Sequence, residues 1–202
     1  MQTSYWTLYT TYVNRTTLIT EDGEFTMNLK YFIERLSVNR QVFQGLINGV
    51  FPDQAKWKPS PDKWSILEVI NHLYDEERED FRQRLDLVLA DPKQTWPRID
   101  PQTWVTSRQY NERDLSTSLS EFLTERENSL SWLNELRDPN WLNRYEHPDG
   151  RTITAGDLLA SWLAHDWLHI RQLSRLQWQY VAVIADPFKT NYAGPWKESS
   201  DL

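Results

Sequence analysis

Four long stretches of this chain place apolar residues at three- and four-residue steps, and this repeat limits the fold more than any other feature. The first, about Met27 to Val50, carries Leu29, Phe32, Ile33, Leu36, Phe43, Leu46, Ile47 and Val50. The second starts at Ser65 and runs through Ile66, Val69, Ile70, Leu73, Phe81 and Val88 to about Ala90. The third, Leu115 to Arg137, uses Leu119, Phe122, Leu123, Leu130 and Leu133; the fourth, Thr154 to about Gln177, uses Leu158, Trp162 and Leu176. Such a period is that of an amphipathic helix, whose stripe must be buried against other stripes. Asn48-Gly49 with Pro52, Asp91-Pro92 and Asp138-Pro139 supply stops. Ser65 with Glu68, and Thr154 with Asp157, have the spacing of N-terminal capping boxes. Four helices of about 20 to 26 residues predict an all-α four-helix bundle.

The connections are uneven. About 24 residues, Asp91 to Asp114, separate helices two and three, with Trp96-Pro97, Pro101 and Trp104 among them; that is long enough to cross the bundle instead of turning tightly. Before helix four, Asn143 to His147 and Arg151 to Ile153 flank the turn tripeptide Pro148-Asp149-Gly150, which predicts a small β-hairpin. The bundle domain is expected over residues 27–178. Residues 1–26 form an N-terminal extension and residues 179–202 a C-terminal tail. The extension is either an annexed segment ahead of Met27 or a layer in which Tyr5, Trp6, Tyr9 and Tyr12 pack on the bundle.

Two histidines stand one helical turn apart on the apolar face of the fourth helix. At about 100° per residue, His165 and His169 share an arc of roughly 60° with Leu158, Trp162 and Leu176, and a pair at this spacing can hold one metal ion. The chain has no cysteine, so disulfides and thiolate ligands are excluded and any metal is held by His, Asp or Glu. His72 lies on the flank of the second helix's stripe, with Glu76 one turn later. As a third ligand it would complete three neutral imidazoles around a divalent ion and leave positions open, as in catalytic sites. The plain alternative is that these are hydrogen-bonded core histidines. His147, next to Pro148, is expected to make a local hydrogen bond.

Arg126 falls in the middle of the apolar face of helix three, and Glu77 and Asp80 fall near that of helix two. Buried charge is costly unless paired, so either the three form a structural ion network or Arg126 binds a substrate carboxylate. Trp57, Trp64, Trp162 and Trp167 are read as core. With 29 acidic against 22 basic residues, a net charge of -7 and no basic cluster, nucleic acid is not an expected partner. No apolar run approaches the roughly 18 residues of a membrane helix, and Met1 to Tyr12 lack the pattern of a signal peptide. A cytoplasmic protein with no membrane partner is the expectation.

Trp64-Ser65-Ile66-Leu67-Glu68-Val69-Ile70-Asn71-His72-Leu73, the hairpin Tyr145-Glu146-His147-Pro148-Asp149-Gly150, and His165-Asp166-Trp167-Leu168-His169-Ile170-Arg171-Gln172-Leu173 together resemble the DinB/YfiT-like superfamily. The likeness covers about Met27 to Trp178. It implies a four-helix bundle with a long crossover between helices two and three, usually a homodimer, binding zinc, nickel or a similar ion through His72, His165 and His169. The same resemblance makes Glu76 a candidate catalytic, water-binding or ligand-orienting group. Characterised relatives include enzymes that use a low-molecular-weight thiol such as bacillithiol or mycothiol, and others are described as metal-dependent hydrolases. The leading expectation is therefore thiol-dependent S-transfer on a small-molecule substrate, with metal-dependent hydrolysis as the alternative and a non-catalytic metal- or ligand-binding bundle as a third reading. An open-site divalent ion can lower the pKa of a thiol or of water alike.

Overall fold

The computed structural model describes residues 17–19 and 25–196. The aromatic residues Tyr5, Trp6, Tyr9 and Tyr12 lie outside them. Two short strands, β1 (Thr17–Ile19) and β2 (Phe25–Met27), pair antiparallel with Thr17 opposite Met27. Four helical rods follow. Rod one is α1 (Leu29–Ile47), whose N-cap Asn28 accepts a hydrogen bond from the Tyr31 amide at 3.2 Å. It ends at Asn48, followed by Gly49 at φ +82°, a conformation that suits glycine. A short α2 (Pro52–Lys56) leads to rod two.

Rod two runs α3 (Ile66–Glu76), a wider π-type turn (Glu77–Phe81) and α4 (Arg82–Ala90). The Ser65 capping box forms: the Glu68 amide donates to Ser65 Oγ at 3.1 Å, and the Ser65 amide to Glu68 Oε2 at 2.8 Å. The crossover holds α5 (Pro101–Ser107) and a single 3₁₀ turn (Tyr110–Glu112). Rod three, α6 (Leu115–Glu135), is capped by Asp114 accepting from the Thr117 amide at 2.8 Å. The predicted hairpin is present as β3 (Arg144–Glu146) and β4 (Thr152–Thr154), with Tyr145 opposite Ile153. Rod four, α7 (Ala155–Ile184), begins at the Thr154–Asp157 capping box and continues two turns past the expected end at Gln177.

The connectivity follows from what each rod touches. α1 packs against α6 and α7, and rod two against the same two helices. Rods one and two are therefore diagonal, as are rods three and four. Ser65 Oγ donates to Asn111 Oδ1 at 2.7 Å, and Arg113 Nη1 to Asn71 Oδ1 at 2.9 Å, so rod three starts beside the start of rod two. The long crossover returns the chain along the bundle and makes the two rods parallel.

The interior is apolar at both ends and polar in between. One cluster gathers Phe32, Leu36, Leu85, Leu130, Leu133, Leu159 and Trp162; the other gathers Phe43, Ile66, Val69, Ile70, Phe122, Leu173 and Leu176. Between them, at one level on all four rods, lie the buried residues Asn39, His72, Glu76, Glu77, Arg126, Ser129, Asp166 and His169. Polar side chains at this depth cost stability unless they find partners, so the layer marks where to look for a site. Trp162 is buried as expected, whereas Trp167 is 46% exposed and does not belong to the core. Among the described residues, no helix is long and apolar enough to cross a membrane.

Candidate metal centre

The three histidines converge. His72 projects from the second turn of α3 and His165 and His169 from successive turns of α7. His72 Nε2 lies 3.4 Å from His165 Nε2, which lies 3.0 Å from His169 Nε2. Two nitrogens on one tetrahedral ion at about 2.0–2.1 Å stand about 3.3 Å apart, so the spacing fits a shared ion. The chemistry of the contacts fits it too. His169 Nδ1 sits 2.8 Å from Gln172 Oε1, an acceptor, which places the proton on Nδ1 and leaves Nε2 with a lone pair. His165 then has at most one Nε2 proton for two neighbouring rings, so the three contacts cannot all be full hydrogen bonds. A cation shared by three lone pairs satisfies them together.

Electrostatics favour the neutral, ligating form of each ring. Burial, with the charge of His169 added, lowers the His72 pKa to about 3. Burial followed by His169, His72 and Arg126 lowers His165 to about 2. His169 is also lowered by burial, against the upward pull of Gln172 and Asp166. Aromatic rings close the sides: Trp64 packs on His72 with ring centroids 4.8 Å apart, and Phe81 on His165 at 5.0 Å.

Glu76 Oε1 lies 4.0 Å from His72 Nδ1, beyond hydrogen-bond range and on the ring edge turned away from the cluster. Burial, the charge of Asp80 and a hydrogen bond with Asp80 push the Glu76 carboxyl up to about 9. Asp80 is raised too, by burial, although Arg84 at 2.9 Å pulls it down. Burial and the proximity of the two carboxyls thus favour a neutral acid at the edge of the site.

Arg126 is placed away from any open space, with 1% exposure. Its Nε and Nη2 donate to Glu77 at 2.7 and 2.9 Å, and its Nη1 and Nη2 to Asp166 at 2.7 Å each. Burial works against its charge, but the attraction of Glu77 and Asp166 prevails and raises its pKa. The network expected from sequence with Glu77 and Asp80 is therefore built from Glu77 and Asp166, while Asp80 pairs with Arg84 and Glu76. His147 makes the expected local contacts: its Nδ1 is 2.7 Å from Asp149 Oδ1 and its amide donates to the Arg151 carbonyl at 2.8 Å.

Sequence reasoning missed Asp166, Asn39, Gln172 and the shielding role of Trp64 and Phe81. For Asp166 a signal existed, since it lies four residues after Trp162 on the buried track of α7. Gln172 follows His169 by three residues, on the same face.

Two cavities lie beside residues that touch the cluster, and none of the three histidines lines either one. One, about 260 Å³, is lined by Trp64 and Gln172 with Lys63 and Arg175; the other, about 360 Å³, by Asp80, Phe81, Arg84 and Ser161. A larger hollow of about 750 Å³, between Asp91–Lys93 and Leu142–Glu146, borders none of the three histidines.

The family profile described as DinB superfamily matches residues 35–173. Among solved structures, the chain is similar to YfiT from Bacillus subtilis, with a TM-score of 0.68 and 18% sequence identity over 83% of this chain and 98% of that one. YfiT is described as "a probable metal-dependent hydrolase with an unusual four-helix bundle topology". No curated protein shows significant sequence similarity to the chain.

Proposed function

The chain belongs to the DinB superfamily, and from that premise we propose that it is a metal-dependent hydrolase of a small-molecule substrate, with His72, His165 and His169 holding a divalent ion such as zinc or nickel. The observation that carries the reading is the meeting of three Nε2 atoms whose contacts cannot all be hydrogen bonds. When bound, such an ion supplies a Lewis acid that lowers the pKa of a proton donor brought to it. The described hydrolase character of YfiT agrees with this chemistry.

The protein's own groups have distinct tasks. Gln172 fixes the tautomer and tilt of His169 through Nδ1. Trp64 and Phe81 keep water off the ring faces. Glu76 packs behind His72, and burial with Asp80 beside it favours its neutral form. Arg126, enclosed by carboxylates, supports the interior in this reading and does not bind substrate.

Hydrolysis is preferred to thiol transfer because YfiT, whose fold the chain shares, is described as a probable metal-dependent hydrolase. The test is turnover of a panel of small esters and amides by zinc- and nickel-loaded protein, with and without a low-molecular-weight thiol. Thiol-independent turnover that is lost in His169→Ala is expected; turnover only with thiol would restore the transfer reading.

A further inference from the structure

The polar layer contains more than the three histidines. Arg126 stands where all four rods meet. Its forks engage Glu77 on rod two and Asp166 on α7, and its Nη1 also donates to the Leu36 carbonyl of α1 at 3.3 Å. Asn39 of α1 donates to Asp166 Oδ2 at 3.0 Å, and Trp162 Nε1 of α7 donates to Glu77 Oε2 at 3.0 Å. Glu77 and Asp166 are 2% and 0% exposed. A single guanidinium thus ties every rod of the bundle to one point.

That point is next to the histidines on both sides. Asp166 follows His165 directly and lies between the two ligands of α7, and Glu77 is five residues after His72 on the continuous rod two. The π-type turn begins at Glu77, and Glu76 and Glu77 are both buried at this point, Glu76 beside His72 and Glu77 paired with Arg126. The distance between His72 and the α7 pair is therefore set where rod two and α7 are both gripped by Arg126. A planar fork with two pairs of donors holds such a distance more sharply than a point charge can. Formally, one cation faces two carboxylates, so the layer carries one excess negative charge in the interior. Such a charge is costly alone and is offset by a cation held nearby.

We propose that Arg126, Glu77 and Asp166 are the positioning layer of the metal site: they set the spacing of His72 against His165 and His169 and supply the negative charge that favours a bound divalent ion. The inference rests on the three-histidine reading above and adds residues that do not themselves touch the ion. Outer partners of metal ligands commonly change affinity by about 10- to 100-fold when altered.

The test uses the full chain, zinc affinity by competition titration, and the ligand-field absorption of the cobalt-loaded protein, all well below the melting temperature. Arg126→Lys keeps the charge and loses the fork; Asp166→Asn keeps the shape and loses a negative charge. Both are expected to bind zinc at least about tenfold more weakly, and Arg126→Lys to change the cobalt spectrum as well. Leu133→Ala, a core truncation two turns along α6, is expected to lower the melting temperature without changing zinc affinity, which separates positioning from stability. Should either charge variant fail to fold, Asn39→Ala removes only a neutral hydrogen bond to Asp166 and is expected to weaken zinc binding about threefold, the factor of roughly 0.7 kcal/mol for one net hydrogen bond. Variants that melt lower yet bind zinc as the wild type does, with an unchanged cobalt spectrum, would overturn the proposal. Absence of zinc binding in the wild type would instead overturn the three-histidine reading itself.

Discussion

At the scale of single residues, the polar layer mixes groups whose burial has opposite consequences. Arg126 has all its charge answered within the protein, so removing it strands two carboxylates. Arg126→Met is expected to destabilise the fold by about 3–5 kcal/mol, measured by urea denaturation; a loss below about 1 kcal/mol would contradict the network. Glu76 behaves differently. Its carboxyl is raised from 4.5 to about 9 by burial and by Asp80, so the folded protein binds a proton that the unfolded chain releases between those values. Its stabilising contribution is complete below about pH 4.5 and is lost as pH rises through 9, with a slope of at most about 1.4 kcal/mol per pH unit. For metal-free protein, stability is expected to fall from pH 5 to 9 more steeply in the wild type than in Glu76→Gln; parallel profiles would contradict it. The histidines were legible in the sequence because imidazoles on an apolar stripe are conspicuous. Asp166 was not singled out, because an acid flanked by two histidines reads as part of their motif and its partner lies 40 residues away.

At the scale of elements, local chemistry decides most boundaries. Both capping boxes form, and the ends of α1 and α6 fall within a few residues of their stop signals. The π-type turn had no such signal: it arises because buried Glu77 must reach Arg126 while Phe81 still packs on Trp162 and His165, a tertiary demand that no local pattern expresses. The crossover was legible in length but not in its anchoring. Asp75, fully buried, accepts from the Tyr110 hydroxyl and pairs with Arg78 at 2.8 Å and Arg108 at 2.6 Å, and Arg108 also pairs with Glu79. Tyr110→Phe is expected to cost about 1.5–3 kcal/mol, the range for a hydrogen bond to a charged group, and to make the 91–114 segment more sensitive to limited proteolysis; unchanged cleavage would count against this anchoring. Ser65→Ala, which loses the cap and the hydrogen bond to Asn111, is expected to cost about 1–2 kcal/mol.

At the scale of the whole molecule, the diagonal arrangement of rods one and two gives the long crossover its purpose. It makes rods two and three parallel and leaves rod two beside α7, which is how one histidine from the first half of the bundle meets two from the end. The sequence showed four rods and a long connection, but the pairing of rods depends on contacts such as Ser65–Asn111 and Asn71–Arg113 between residues far apart in the chain. The outer surface keeps Trp167, Leu168, Val181 and Ile184 of α7 exposed, and exposed apolar side chains favour association; sedimentation at micromolar concentration is expected to give a homodimer, and a monomer would contradict that expectation. The central claim is that this meeting point holds a metal. Its most direct test is the metal content of untagged protein purified without added metal, measured by mass spectrometry of the elements. The account predicts a near-stoichiometric divalent ion in the wild type that is lost in each of His72→Ala, His165→Ala and His169→Ala, while a metal content unchanged in all three would contradict it.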